Sequence, residues 1–324
     1  MGKPTFPHFL PDGAITIRNI LTRRCFISLN SLTGQIEMLC FTTDPYDYYG
    51  PTNYFDIASD RLHRVINSAL RKTLPNETHT YIHNKANIFR FRSIMKLYSV
   101  SDGPPSLACR LALKALNIQY ELIEVDFGKG DHMTNEYAQL NPQKEIPVLV
   151  DGDVIMGESN AILQYLGDKY DTVGKLYPKD PESRAKVNHR LCFNLAMYYR
   201  NISDYLVSIF FDCKRTSLGL KKMTMALDVF NTYLQREHTE YVAGNTLTIA
   251  DFPLVTATMC LEAIDFKLNS WPYIEKWYNN FKQKHPELWE IAAKGMREIS
   301  YYEKNPPDLS DLDHPIYPTR KSNK

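Results

Sequence analysis

From Met95 onward the apolar positions switch between two periods. Lys96-Leu97-Tyr98-Ser99-Val100 alternates as a half-buried strand does. Leu107, Ala108, Leu111, Ala112, Ala115 and Leu116 then recur at the i, i+3, i+4 spacing of a helix, with Pro104-Pro105 in its first turn and Asn117 at its end. Tyr120 to Val125 reads as a second strand, and strand, helix, strand at this length predicts a βαβ unit with parallel strands and a right-handed crossover. Two short apolar runs, Val148-Leu149-Val150 and Val154-Ile155-Met156, flank the hairpin signal Asp151-Gly152. Ser159 is placed to cap a helix in which Ala161, Ile162, Tyr165 and Leu166 share one face.

The rest of the chain divides around this pattern. Residues 171–181, with Gly174, Pro178 and Pro181, read as a linker. Helical periodicity without strand alternation follows over 185–205, 218–236, 250–266 and 273–285. Thr248-Ile249-Ala250-Asp251 has capping-box spacing, which assigns Thr248 and Asp251 to folding. Residues 301–324 hold Pro306-Pro307, Pro315 and Pro318 and read as an extended tail. Residues 1–94 form an extension of unassigned structure. Within it, residues 44–55 are rich in Tyr, Asn and Thr, Leu62, Val65, Ile66 and Leu70 line one face of a short predicted helix, and Asn76-Glu77-Thr78 matches a glycosylation sequon that carries little weight without a secretory signal. Met95 is the expected start of the folded core.

Composition narrows the class. The 324 residues suffice for two domains, and 44% hydrophobic with 23% charged residues is ordinary soluble-globular material. A net charge of +1 offers no global attraction for nucleic acid or a membrane surface. No apolar run approaches a membrane span, and the six cysteines include no Cys-x-x-Cys, so they read as reduced thiols of a cytosolic protein without a metal site.

The chemistry concentrates in two stretches. Pro147 cannot donate to a ladder and belongs at a strand start, which leaves the backbone of Ile146 open to an extended peptide. Free N–H groups at the helix start near Ser159 suit a carboxylate, and Glu158 suits an ammonium. A ligand with a peptide middle and an amino-acid head fits both, and glutathione is such a ligand. The order β-α-β, short helices, β-β-α is that of the thioredoxin-like fold.

In register over residues 95–300, Lys96-Leu97-Tyr98, Pro104-Pro105, Asn141-Pro142-Gln143 with Ile146-Pro147, Glu158-Ser159-Asn160-Ala161-Ile162 and Thr248-Ile249-Ala250-Asp251-Phe252 resemble a cytosolic glutathione transferase of the insect delta and epsilon classes. The resemblance implies an α+β thioredoxin-like glutathione-binding domain over 95–172, an all-α domain over 182–300, and a homodimer in the cytoplasm. It implies that Ile146, with Glu145 and Pro147, holds the cysteinyl backbone, that Glu158, Ser159 and Asn160 hold the γ-glutamyl end, and that Lys144 and His132 face the glycyl carboxylate. Lys144 stands where these classes usually have histidine, and it keeps its charge at pH 7. Asn194 occupies a position where the family often has an acidic residue reaching its partner's site. Tyr199, Ile202, Tyr205 and Phe211 would line the pocket for an apolar electrophile.

One departure bears on mechanism. Gly103 stands where the family has the serine whose hydroxyl stabilises the thiolate, so Ser101 and Ser106 are the expected surrogate donors. The expected activity is conjugation of glutathione to apolar electrophiles. The alternative is a glutathione-dependent binding protein or isomerase, and a disulfide reductase is disfavoured because position 106 is serine and Cys109 lies a turn further into the helix.

Overall fold

The computed structural model describes residues 15–20, 23–29, 36–41, 94–309, 312 and 314–319. The chain divides into two compact units, Met1–Arg90 and Phe91–Lys324.

In the first unit, β1 (Ile15–Ile20), β2 (Arg23–Leu29) and β3 (Ile36–Phe41) form an antiparallel sheet in the order β1-β2-β3, with Cys25 opposite Cys40 and Ile27 opposite Met38. This sheet lies in the stretch left unassigned above. Its period-two signal is present in Ile15-Thr16-Ile17 and Ile27-Ser28-Leu29. The Tyr-rich stretch, the short helix around Leu62 to Leu70 and the sequon fall outside the described residues.

The second unit begins with β4 (Met95–Ser99), which pairs in parallel with β5 (Tyr120–Glu124) across α1 (Pro104–Ala115). After the short helix α2 (Asn135–Leu140) come β6 (Val148–Asp151) and β7 (Val154–Met156), giving the order β5-β4-β6-β7 with β6 antiparallel to both neighbours. Asp151 is the last ladder residue, opposite Val154, so the hairpin loop is Gly152-Asp153, one position later than expected. Gly152 has φ +64°, a conformation open to glycine without steric cost. Asp151 also anchors the end of α3 (Ser159–Tyr170), accepting from Tyr165 (2.8 Å), Lys169 (2.6 Å) and Tyr170 (2.5 Å).

The helices α4 (Pro181–Phe193), α5 (Tyr199–Leu206), α6 (Ser217–Glu237), α7 (Asp251–Ala263), α8 (Pro272–Lys284) and α9 (Pro286–Lys304) complete the unit. A π-helical turn, Asn194–Tyr198, interrupts what the periodicity predicts as one helix over 185–205. Helix α7 is apolar on all faces and nearly every residue of it is buried, so the others pack around it. The architecture is a thioredoxin-like domain with a small mixed sheet, followed by a helical domain. Among the described residues no helix is long and apolar enough to cross a membrane. A chain starting at Met95 is expected to fold with an unchanged melting midpoint, because its core lies within the second unit; a drop of more than about 5 °C in a thermal melt, above the 2–4 °C produced by 1 kcal/mol in a domain this size, would make the first unit part of that fold.

Candidate functional site

The loop between α2 and β6 is built around Asn141, which is buried. Its Oδ1 accepts from Gln143 N (3.1 Å), and its Nδ2 donates to Glu145 O (2.9 Å), which also accepts from Tyr137 Oη (3.1 Å). The backbone just before Ile146 is therefore held from two sides. The Ile146-Pro147 peptide is cis, and β6 begins only at Val148, so Ile146 stands outside the ladder. Gly157 passes so close that an added Cβ would lie 2.9 Å from Asn141 Nδ2. This brings Glu158 to the same edge, where its Oε1 accepts from Gln143 Nε2 (3.1 Å).

Glu158, and not Ser159, occupies the cap position of α3, and it does so at φ +57° with no side-chain cap bond. Its carbonyl accepts from Ala161 N and Ile162 N, so Ser159 becomes the first helical residue. The first-turn N–H groups of Ser159 and Asn160 have no intrahelical acceptor and face outward from the helix start. Glu145 lies near Glu158: burial first, and then the Glu158 carboxylate, hold the Glu145 carboxyl above its ordinary range. Two like charges at the head of a helix form a site whose repulsion a ligand ammonium relieves. Asn160 turns the other way. Its Nδ2 donates to Leu191 O on α4 (2.7 Å) and its Oδ1 is buried without a partner, so it ties the two domains together.

Lys144 takes a left-handed backbone (φ +57°) and donates from Nζ to Met133 O (2.7 Å), leaving two of its three N–H donors. His132 is buried and stacked on Phe127 (4.6 Å between centroids) with Nδ1 unpartnered. Burial, and then His314 and Lys144, hold its pKa below the usual imidazole value, with Asp131 opposing, so it is neutral at pH 7 and lends no charge to a carboxylate. With Phe127, which shares an apolar cluster with Met133, it forms a wall on the side of Lys144.

The thiol loop departs further from expectation. Gly103 caps α1 at φ −66°, ψ 119°, and an added Cβ would meet Val100 Cγ2 at 2.5 Å, so a serine fits there only if Val100 turns away. Ser106 is fully buried, with Oγ accepting from Val100 N at 3.4 Å, and is out of reach of a ligand in the cleft. Ser101 is exposed, but its hydroxyl donates to Glu298 Oε2 of α9 (2.5 Å). Helix α9 comes this close because Gly295 sits against the loop: a Cβ there would be 3.1 Å from Ser101 O and 2.5 Å from Leu107 Cδ1. Glu298, Asp102 and Gly295 carry no sequence motif and escape a reading of spacing. Burial, and then Glu298, push the Asp102 carboxyl up to about 6.

The expected electrophile wall divides. Ile202 is fully buried in the helical core, and Phe211 is covered by His314 (4.7 Å) and Tyr317 (5.2 Å). Tyr199 and Tyr205 remain half-exposed. Burial raises the Tyr199 phenol far above its ordinary value, so its hydroxyl stays protonated. Beyond Ser101, α9 carries a cavity of about 360 Å³ lined by Lys294, Arg297, Glu298, Tyr301 and Tyr302. Asn194 is buried with Oδ1 unpaired, whereas the adjacent Leu195 is exposed.

Residues 93–168 match the model of the glutathione S-transferase N-terminal domain, and residues 216–284 match that of the C-terminal domain. The chain is 33% identical over 201 residues to glutathione S-transferase D6 of Drosophila melanogaster, covering 62% of this chain and 93% of that protein. Among solved structures, it is similar to a diazinon-metabolizing glutathione S-transferase of the silkworm Bombyx mori, with 59% identity, TM-score 0.61, and 64% of this chain and 100% of that one covered. Glutathione transferase E6 of Drosophila melanogaster matches at 34% identity and TM-score 0.59 over 65% of this chain and 96% of that one.

Proposed function

Because the chain belongs to the glutathione S-transferase family, we propose that the edge formed by Lys144, Glu145, Ile146, Glu158 and Ser159 is its glutathione site. The enzyme is a glutathione transferase of the insect delta/epsilon type with glutathione as co-substrate. The observation that carries the site is the bond from Gln143 to Glu158, which brings the peptide-binding loop and the head of α3 into one edge. Ile146 pairs with the cysteinyl backbone, the Glu145–Glu158 pair takes the ammonium, the N–H groups of Ser159 and Asn160 take the α-carboxylate, and Lys144 takes the glycyl carboxylate.

The thiolate then attacks an apolar electrophile between the thiol loop and the half-exposed Tyr199 and Tyr205, displacing the leaving group as an anion. Since the silkworm relative metabolises diazinon, organophosphate esters belong in the first substrate panel. With the Ser101 hydroxyl on Glu298 and Ser106 fully buried, the donor left to the thiolate at the start of α1 is the N–H of Gly103, Pro104 and Pro105 having none. The exposed Leu195 on the turn after α4 supports a homodimer, and the cytoplasm is the proposed location.

Asp102 supplies the test. With its pKa near 6 it is anionic at pH 7, and a negative charge beside the thiol opposes ionisation. Asp102→Asn is expected to lower the pKa of bound glutathione and to raise kcat/KM for a generic aryl halide several-fold at pH 6.5. A folded pKa above the ordinary carboxyl value of 3.8 also means that stability is lost as pH rises from about 4 through 6, so the variant should gain in melting midpoint over that window. An unchanged pH–rate profile would place Asp102 away from the sulfur. Retention of glutathione with no turnover in either protein would favour the binding-protein reading.

A further inference from the structure

The described residues after α9 pack back onto the second unit. Leu309 and Leu312 are 2% and 3% exposed and pack with Phe211 into an apolar cluster that also takes in Phe127, Met133 and Tyr317. The far end is tied by Asp212 N donating to Pro318 O (2.8 Å), and Phe211 packs at a tilt against both His314 and Tyr317. On the opposite side the two leucines lie against the glycines of the loop after β5. An added Cβ on Gly128 would be 3.7 Å from Leu309, and one on Gly130 would be 3.2 Å from Leu312. The tail is thus a strap that joins residues 127–133 to the chain following α5.

That loop is the one that aims Lys144. Met133 belongs to the cluster beneath the strap, and its carbonyl accepts from Lys144 Nζ at 2.7 Å. Phe127 and His132 stack against each other at 4.6 Å and form the other side of the same wall. Two nearly fully buried leucines on an otherwise Pro-rich segment therefore decide where the Met133 carbonyl stands, and so where the ammonium points.

We propose that the C-terminal strap is a positioning element for the glycyl end of glutathione, with Leu309 and Leu312 acting through Met133 and Lys144. The inference rests on the reading that Lys144 faces the glycyl carboxylate. It adds to the known reaction a determinant of thiol specificity, the preference for glutathione over γ-glutamylcysteine, which lacks the glycine.

The experiment uses the full chain carrying Leu309→Ala and Leu312→Ala together, and in parallel Leu312→Met as the volume-conserving control, with a fixed aryl halide and each thiol in turn. The double variant is expected to raise KM for glutathione roughly ten-fold, the scale of one charge-assisted hydrogen bond, with little change in KM for γ-glutamylcysteine and with the effect on KM and not on kcat. Leu312→Met should keep the wild-type preference. A merely structural strap would lower the melting midpoint and leave the ratio of the two KM values alone, and that result overturns the proposal, as does an equal rise for both thiols. Lys144→Ala separates the two ideas. If it abolishes the preference while the double variant keeps it, the strap proposal fails and the glycyl reading stands. If the double variant abolishes the preference and Lys144→Ala does not, the route through Lys144 is wrong and the proposal falls.

Discussion

Asp251→Ala is expected to destabilise the protein by about 3 to 5 kcal/mol, the cost of removing one member of a buried charged network. The carboxylate is fully buried and accepts four bonds: Val242 N (3.1 Å), Thr248 N (2.9 Å), Thr248 Oγ1 (3.0 Å) and Trp277 Nε1 (3.0 Å). It ties the start of α7 to the loop before it and to α8. Alanine would leave all four donors in a site closed to water, and each orphaned donor costs about 1 to 3 kcal/mol, not additively. At 2–4 °C per kcal/mol for a domain of this size, the melting midpoint should fall by roughly 10 °C or more. Asp251→Asn keeps one acceptor oxygen and should fall in between. A loss under about 1 kcal/mol in denaturant titration would mean that the network contributes little beyond the packing of α7.

Glu158→Gln should cost the largest share of catalytic efficiency among substitutions that preserve shape. Glutamine keeps the Oε1 that accepts from Gln143, but it cannot neutralise an ammonium. A hydrogen bond to a charged group is worth about 1.5 to 3 kcal/mol, which translates into roughly 10- to 150-fold in kcat/KM. The discriminating ligand is a glutathione analogue without its α-amino group. Wild type should prefer glutathione over it strongly, and Glu158→Gln should bind the two nearly alike. Calorimetric affinities for glutathione within three-fold of each other in wild type and variant would remove Glu158 from the ligand's head group and leave Glu145 to hold it.

Much of the fold is legible in local pattern. Leu107, Leu111 and Ala112 specify α1, and Val148 to Met156 specify the hairpin, because period and turn chemistry act over a few residues and need no partner to be recognised. The candidate site at Ile146, Glu158 and Lys144 is legible for a related reason: the proposed glutathione edge is contributed by one continuous stretch, residues 143–159. The strands β1 to β3 carry the same period-two signal, yet Asn19 and the Arg23-Arg24 pair break its alternation and let it pass as irregular chain.

Whatever depends on how distant elements meet is decided elsewhere. Ser101 looks like a free hydroxyl until Glu298, 197 residues later, accepts its hydrogen bond, and α9 comes near enough only because Gly295 has no side chain. Ser106 looks equivalent to Ser101 in the chain, but the two lie on opposite sides of one helix end, one in the core and one in solvent. Ser159 and Glu158 exchange cap and first-turn positions through a backbone angle of +57° at a residue type that rarely adopts it. Leu309 and Leu312 have no period at all. Their burial is set by Phe127, Met133 and Phe211, which tertiary packing alone assembles into one surface. Periodicity reports which face of an element is buried; a hydroxyl's partner, or the surface that receives a lone leucine, is fixed by packing between elements that share no local signal.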